Sequence, residues 1–246
     1  MSPHEITAQV DGRRLYGLLA GDGKTTVVLD AGLGGSSAEW SKIQTEVARF
    51  SKVVSYDRAG LGRSDKAPIP RTCKDIIHDL RSFLLAAALR PPYVLVAHSW
   101  SGLNARWYAN QYPDEIAGMV LIDAVHESKY ERFEKVLSDE RAQRMWAAVL
   151  DPSKNDEHID RAASIQQVQS TRDALYSFPL IVLTRADVTD ELHLIETSLQ
   201  ADFLKLSTKS WQYRSRYPDH HIQVSEPELV IDSIHQIVEI VATVSP

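Results

Sequence analysis

The chain has 246 residues, 43% of them hydrophobic and 24% charged, with a formal net charge of -6. A chain of this size can bury roughly 70–75% of its unfolded surface, enough for one large domain or two small ones. No block of Lys and Arg stands out, which argues against nucleic acid or an anionic membrane as partner, and the single cysteine, Cys73, can form no internal disulfide.

Met1 to Val10 lacks a basic segment leading into an apolar one, and no apolar run approaches the roughly 18 residues that a membrane span needs. The expectation is a soluble cytoplasmic protein. Asp11-Gly12, between the runs Ile6 to Val10 and Arg13 to Leu19, predicts a β-hairpin. Thr25 to Asp30 reads as a buried strand of β-branched and apolar residues. It leaves through the glycine-rich Ala31-Gly32-Leu33-Gly34-Gly35. A helix over Ala38 to Phe50 and a strand over Lys52 to Tyr56 follow. The loop Asp57-Arg58-Ala59-Gly60-Leu61-Gly62-Arg63-Ser64 comes next.

Thr72 to Leu89 carries Ile76, Ile77, Leu80, Phe83, Leu84 and Ala87 at helical spacing, and Pro91-Pro92 ends it. Tyr93 to Ala97 reads as a strand running into His98-Ser99-Trp100-Ser101-Gly102, and a helical pattern spans Leu103 to Tyr112. Ser99 therefore stands at the apex of a strand, a sharp turn and a helix. The residues two before and two after it, Ala97 and Ser101, are small, as close strand–helix packing demands. On residue type alone Ser99 also suits an ordinary turn or helix cap.

Ile116 to Ile122 is a further strand. Strands alternating with helices argue for an α/β fold with a parallel sheet covered on both faces. The alternation breaks between Val125 and Phe178, a charge-rich stretch with helical signals around Lys129–Leu137, Asp139–Leu150 and Ile159–Val168. Its apolar content is too small for a core of its own. The strand pattern resumes at Leu180 to Thr184. A helix over Glu191 to Leu206, a strand over Trp211 to Ser215 and a C-terminal helix over Pro227 to Val244 complete the chain.

Ligands of an open parallel sheet bind at the carboxyl ends of its strands. Four of these ends are informative, and in this order they resemble the α/β-hydrolase family. The Ser99 turn is similar to the nucleophile elbow G-x-S-x-G, with Ala97 and Ser101 in place of both glycines. Ala31-Gly32-Leu33-Gly34-Gly35 resembles the oxyanion loop H-G-x-G-G, with Ala31 for its His. Asp57 to Ser64 resembles D-x-x-G-x-G-x-S, to which a structural role is assigned. Asp219-His220-His221, with Pro227 seven residues beyond His220, resembles the segment that holds the family's catalytic His.

The resemblance implies a mostly parallel eight-stranded sheet flanked by helices, with a core over 1–124 and 179–246 and a helical cap insertion over 125–178. It implies Ser99 as nucleophile, His220 as general base, and the backbone N–H groups of Leu33 and Trp100 as oxyanion-hole donors. Asp187, shortly after the strand at 180–184, is the expected acid. Asp123, at the end of the strand at 116–122, is the alternative acid, and His221 competes with His220. The implied activity is that of a serine hydrolase of a small-molecule carboxylic ester, lactone or amide, with no metal and no organic cofactor. The same triad also serves C–C bond hydrolysis and acyl transfer. Some relatives bind small molecules as signalling or regulatory proteins with little turnover.

Overall fold

The computed structural model describes residues 3–171 and 174–244. Eight strands form one sheet among the described residues: β1 (His4–Val10), β2 (Arg13–Ala20), β3 (Thr26–Asp30), β4 (Lys52–Asp57), β5 (Tyr93–His98), β6 (Ile116–Ile122), β7 (Leu180–Thr184) and β8 (Ser210–Arg214). Their order across the sheet is β1-β2-β4-β3-β5-β6-β7-β8. The β1–β2 and β2–β4 pairs are antiparallel, and all neighbours from β4 through β8 are parallel. Asp11 and Gly12 both have positive φ, +48° and +75°, the backbone of a two-residue hairpin turn whose twist matches its strands.

The helices are α1 (Ser41–Val47), α2 (Cys73–Ala86), α3 (Ser101–Gln111), α4 (Lys129–Glu134), α5 (Asp139–Leu150), α6 (Arg161–Gln169), α7 (Glu191–Asp202), α8 (Ile222–Ser225) and α9 (Pro227–Val244). Strands β3, β5 and β7 are buried along their whole length, as sheets covered on both faces require. Alternate side chains go to opposite faces. Val28, Leu95, Leu121 and Val182 share one core with Ile77 and Phe83 of α2 and Tyr108 of α3. Val27, Leu29, Val96 and Ile181 share the other with Ile43 of α1 and Ile234 and Ile237 of α9. This division fixes the strand ends, and so the site above them, to within the tolerance of close-packed side chains.

Among the described residues three α-helices, α4 to α6, lie between β6 and β7. Ile159, Ile165 and Val168 of this stretch join Cys73 and Ile76 of α2, Trp100 and Leu103 in a third buried cluster. These three side chains are thus buried against α2 and against α3, the helix that follows Ser99. Two helices are shorter than their sequence pattern. Ser37–Trp40 is a tight 3-10 turn ahead of α1, its Ser37 N–H donating to Asp57 Oδ1 at 2.8 Å, and Phe203–Leu206 is a 3-10 turn after α7. Helix α8 has four residues, too few to show a helical period in the sequence. Among the described residues no helix is long and apolar enough to cross a membrane.

Candidate active site

Strand β5 delivers Ser99 in the left-handed region, with φ +55°. A non-glycine residue there is strained, and it persists only where its surroundings over-determine it. Here the surroundings are hydrogen bonds. The Ser99 N–H donates to the Ile122 carbonyl at 3.0 Å, while the Ser99 carbonyl accepts from Gly102 at 3.1 Å and Val125 at 2.9 Å. Ser101 is fully buried, and its hydroxyl lies 2.8 Å from the carbonyl oxygens of both Asp30 and His98. The serine in place of the second glycine therefore sets one hydroxyl hydrogen within reach of the carbonyls that end β3 and β5. The close approach falls one residue later. A Cβ on Gly102 would stand 2.6 Å from Ala124 Cβ.

His220, between β8 and α8, brings its ring to this turn. Ser99 Oγ lies 2.9 Å from His220 Nε2, and His220 Nδ1 lies 2.5 Å from Asp123 Oδ2. An ionised carboxylate only accepts, so Nδ1 carries the proton and Nε2 is left to accept from the Ser99 hydroxyl. His221 is not in this line. Its N–H donates to Asp219 Oδ1 at 2.8 Å, which shapes the loop, and its ring packs 5.1 Å from that of His98.

The structure does not bring Asp187, the expected acid, to His220. Asp187 has a side chain 54% exposed and pairs with Arg214 at the end of β8. Asp123 takes its place because the chain leaves β6 with φ +39° at that residue, a conformation Asp tolerates better than most. That turn lifts the carboxylate to Nδ1 and leaves it 6% exposed. At the end of β7 the residue facing the site is Arg185, with Nε 3.5 Å from Asp123 Oδ2 and its guanidinium paired with Glu196. A cation stands there beside the buried carboxylate that β6 supplies, and Asp187, two residues on, turns outward.

The glycine-rich loop lies against Ser99. A Cβ on Gly32 would come 3.3 Å from Ser99 Cβ and 3.0 Å from His98 Nδ1. The amides of Leu33 and Trp100 donate to no protein acceptor among the described residues. The loop is held from behind by Arg58, from the D-x-x-G-x-G-x-S segment. Burial would depress the Arg58 pKa, but the carboxylates of Glu157 and Asp30 outweigh it and raise the value well above normal.

His98, the residue before Ser99, is tied to the backbone of His220. It is 2% exposed, and its pKa is pushed down to about 3, first by burial and then by repulsion from the His220 ring when that ring is protonated. It is therefore neutral near pH 7. Its Nε2 lies 3.0 Å from the His220 carbonyl oxygen, which can only accept, so Nε2 carries the hydrogen and anchors the His220 backbone. No sequence signal distinguishes such a histidine from a buried packing residue. Among the described residues no group of three or more His, Cys, Asp or Glu side chains is arranged to hold a metal ion.

The sheet order and the strand–turn–helix at Ser99 place the chain among α/β proteins with a mostly parallel sheet, and comparison with known proteins agrees on that fold. A family model described as alpha/beta hydrolase fold matches residues 25–223, and the chain belongs to that family. The uncharacterized protein YqjL of Bacillus subtilis (strain 168) is 26% identical over 219 residues, 88% of this chain and 85% of that one. Among solved structures, the epoxide hydrolase CorEH superposes with a TM-score of 0.72 at 15% identity, covering 96% of this chain and 98% of its own. A thermophilic esterase from Thermogutta terrifontis superposes with a TM-score of 0.69 at 20% identity, covering 98% of this chain and 99% of its own. At these identities the two structures share the fold.

Proposed function

We propose that the chain is a serine hydrolase that cleaves a carboxylic ester, or a lactone or amide, of a small molecule through an acyl-enzyme. The observation that carries this reading is the line Ser99–His220–Asp123, with links of 2.9 Å and 2.5 Å. His220 Nε2 takes the Ser99 proton as Oγ attacks the carbonyl carbon. The amides of Leu33 and Trp100 receive the charge that develops on the carbonyl oxygen, each worth about 3–4 kcal/mol of barrier. The tetrahedral intermediate collapses, the bond to the alcohol or amine breaks, and His220 gives its proton to that leaving group. Water then attacks the acyl carbon and passes a proton to His220. The Ser99–acyl bond breaks, and Ser99 Oγ recovers its hydrogen from Nε2. Asp123 holds Nδ1–H throughout and offsets the imidazolium charge.

The segment 125–178 acts as the cap that selects acyl and alcohol groups. Its apolar cluster with Trp100, the residue after the nucleophile, supports that role. The existence of an esterase with the same architecture is compatible with the reaction. The test is treatment of the protein and of Ser99→Ala with a serine-reactive fluorophosphonate, followed by intact mass and ester turnover. A stoichiometric adduct on the unsubstituted protein alone, with turnover of an activated ester lowered on the order of 10⁶-fold by Ser99→Ala, is expected. Retention of most activity in Ser99→Ala would move the nucleophile elsewhere. An adduct without steady-state turnover would favour a small-molecule-binding protein.

A further inference from the structure

Arg58 is 3% exposed, and it reaches the glycine-rich loop with both ends of its guanidinium. Nη1 donates to the Ala31 carbonyl at 2.7 Å and to Asp30 Oδ1 at 2.5 Å, and Nη2 donates to the Gly32 carbonyl at 2.5 Å. Nε and Nη2 also donate to the two carboxylate oxygens of Glu157, at 2.7 and 2.8 Å. Glu157 is 5% exposed and comes from the inserted segment between β6 and β7. It accepts the Gly34 N–H as well, at 2.7 Å.

Three successive peptide units are therefore fixed by one ion pair: 31/32 and 32/33 by Arg58, and 33/34 by Glu157. The middle unit is the one whose N–H belongs to Leu33. Its bond is trans, so the Leu33 N–H points away from the Gly32 carbonyl. An arginine bound to that carbonyl sets the direction of the N–H on the far side. A charged donor on the carbonyl oxygen also polarises the amide and strengthens its N–H as a donor.

The geometry points to Arg58 and Glu157 as positioning residues of the oxyanion hole, holding and polarising the Leu33 amide from behind, with the Glu157 half contributed by the inserted segment. The inference rests on the serine-hydrolase reading. It links the seating of that segment to the barrier of the chemical step. Displacing Glu157 frees the Gly34 N–H and one side of the Arg58 fork, and the Gly32 carbonyl is then held only by the loosened Arg58 and by the Gly35 N–H at 3.0 Å, so the Leu33 amide is less firmly directed.

The test uses Arg58→Lys, which keeps the charge but not the fork, and Glu157→Gln, which keeps an acceptor but not the charge. Folding is checked by circular dichroism, and competent sites are counted by the endpoint of fluorophosphonate labelling. Per labelled site, Arg58→Lys lowers kcat for p-nitrophenyl acetate by about 10²-fold with KM unchanged, and Glu157→Gln lowers it less. An aryl trifluoromethyl ketone gives the second reading. Ser99 Oγ adds to its carbonyl carbon, the serine proton passes to His220, and the resulting oxyanion occupies the hole. Its Ki rises across the variants in the order in which kcat falls. A folded, fully labelled Arg58→Lys with unchanged kcat and Ki overturns the inference, as does a loss confined to the number of labelled sites. Should Arg58→Lys not fold, Glu157→Gln decides the matter by the same readings. An unsubstituted protein that is neither labelled nor active overturns the serine-hydrolase reading itself, and this inference with it.

Discussion

Asp123 Oδ2 lies 2.5 Å from His220 Nδ1, although the two residues are 97 positions apart in the chain. The contact depends on two separate backbone features: the positive φ of Asp123 at the end of β6, and the loop that carries His220 back over the sheet. Asp123→Asn keeps the shape but turns an acceptor into a group that can donate to Nδ1, which favours the wrong tautomer. Turnover per folded molecule is expected to fall on the order of 10⁴-fold. Asp187→Asn breaks only an exposed pair with Arg214 and is expected to change turnover by less than about twofold. Steady-state kinetics of the two variants, side by side, decide which carboxylate serves His220. The reverse pattern would return the role to Asp187.

Ser101 and Gly102 divide between them what a single glycine does in the family pattern. Ser101→Ala removes the hydroxyl between the Asp30 and His98 carbonyls and is expected to cost about 1 kcal/mol. Gly102→Ala drives a methyl group to within 2.6 Å of Ala124 Cβ, and overpacking of this kind costs about 1–3 kcal/mol. Urea denaturation monitored by circular dichroism reads both. A Gly102→Ala protein as stable as the parent would mean that the Ala124 segment moves without cost.

His98 makes stability depend on pH in a known direction. Its folded pKa of about 3 is below the ordinary 6.5. Between those values the unfolded chain binds a proton that the native state refuses, so stability is complete above about 6.5 and is lost as pH falls. The slope for one such group approaches about 1.4 kcal/mol per pH unit. His126, pushed down to about 4 chiefly by burial, acts in the same sense. The urea midpoint is expected to fall between about pH 7 and about pH 5, and His98→Gln is expected to make that fall shallower without abolishing it. Equal slopes in the two proteins would show that His98 takes a proton without unfolding the chain.

Much of the fold was legible because it rests on local patterns. The strands at 116–122 and 180–184 and the helix at 227–244 match the pattern of apolar residues, since each is buried along a continuous face. The tight turn Ser37–Trp40 and helix α8 were not legible, because a few residues carry no period. In the site, Ser99 and His220 were read from motifs whose spacing reflects a local turn. Arg58 sits inside a motif read as structural, and nothing near it in sequence announces Glu157, 99 residues away.

The sequence by itself determined the alternation of strands and helices, the position of the serine turn, the glycine-rich loop and the histidine that follows the last strand. Each of these is written in consecutive residues, through side-chain period, small-residue demand or turn chemistry. Only the tertiary structure shows which of Asp123 and Asp187, two carboxylates that both follow parallel strands, stands against His220. That choice lies in backbone direction at one residue and in the company each side chain keeps, Arg214 in solvent for Asp187 and His220 in the interior for Asp123. The same holds for Arg58, Glu157 and His98. Their roles arise from burial and from contacts between distant segments, and a buried charge or imidazole is defined by the groups that surround it rather than by its neighbours in the chain.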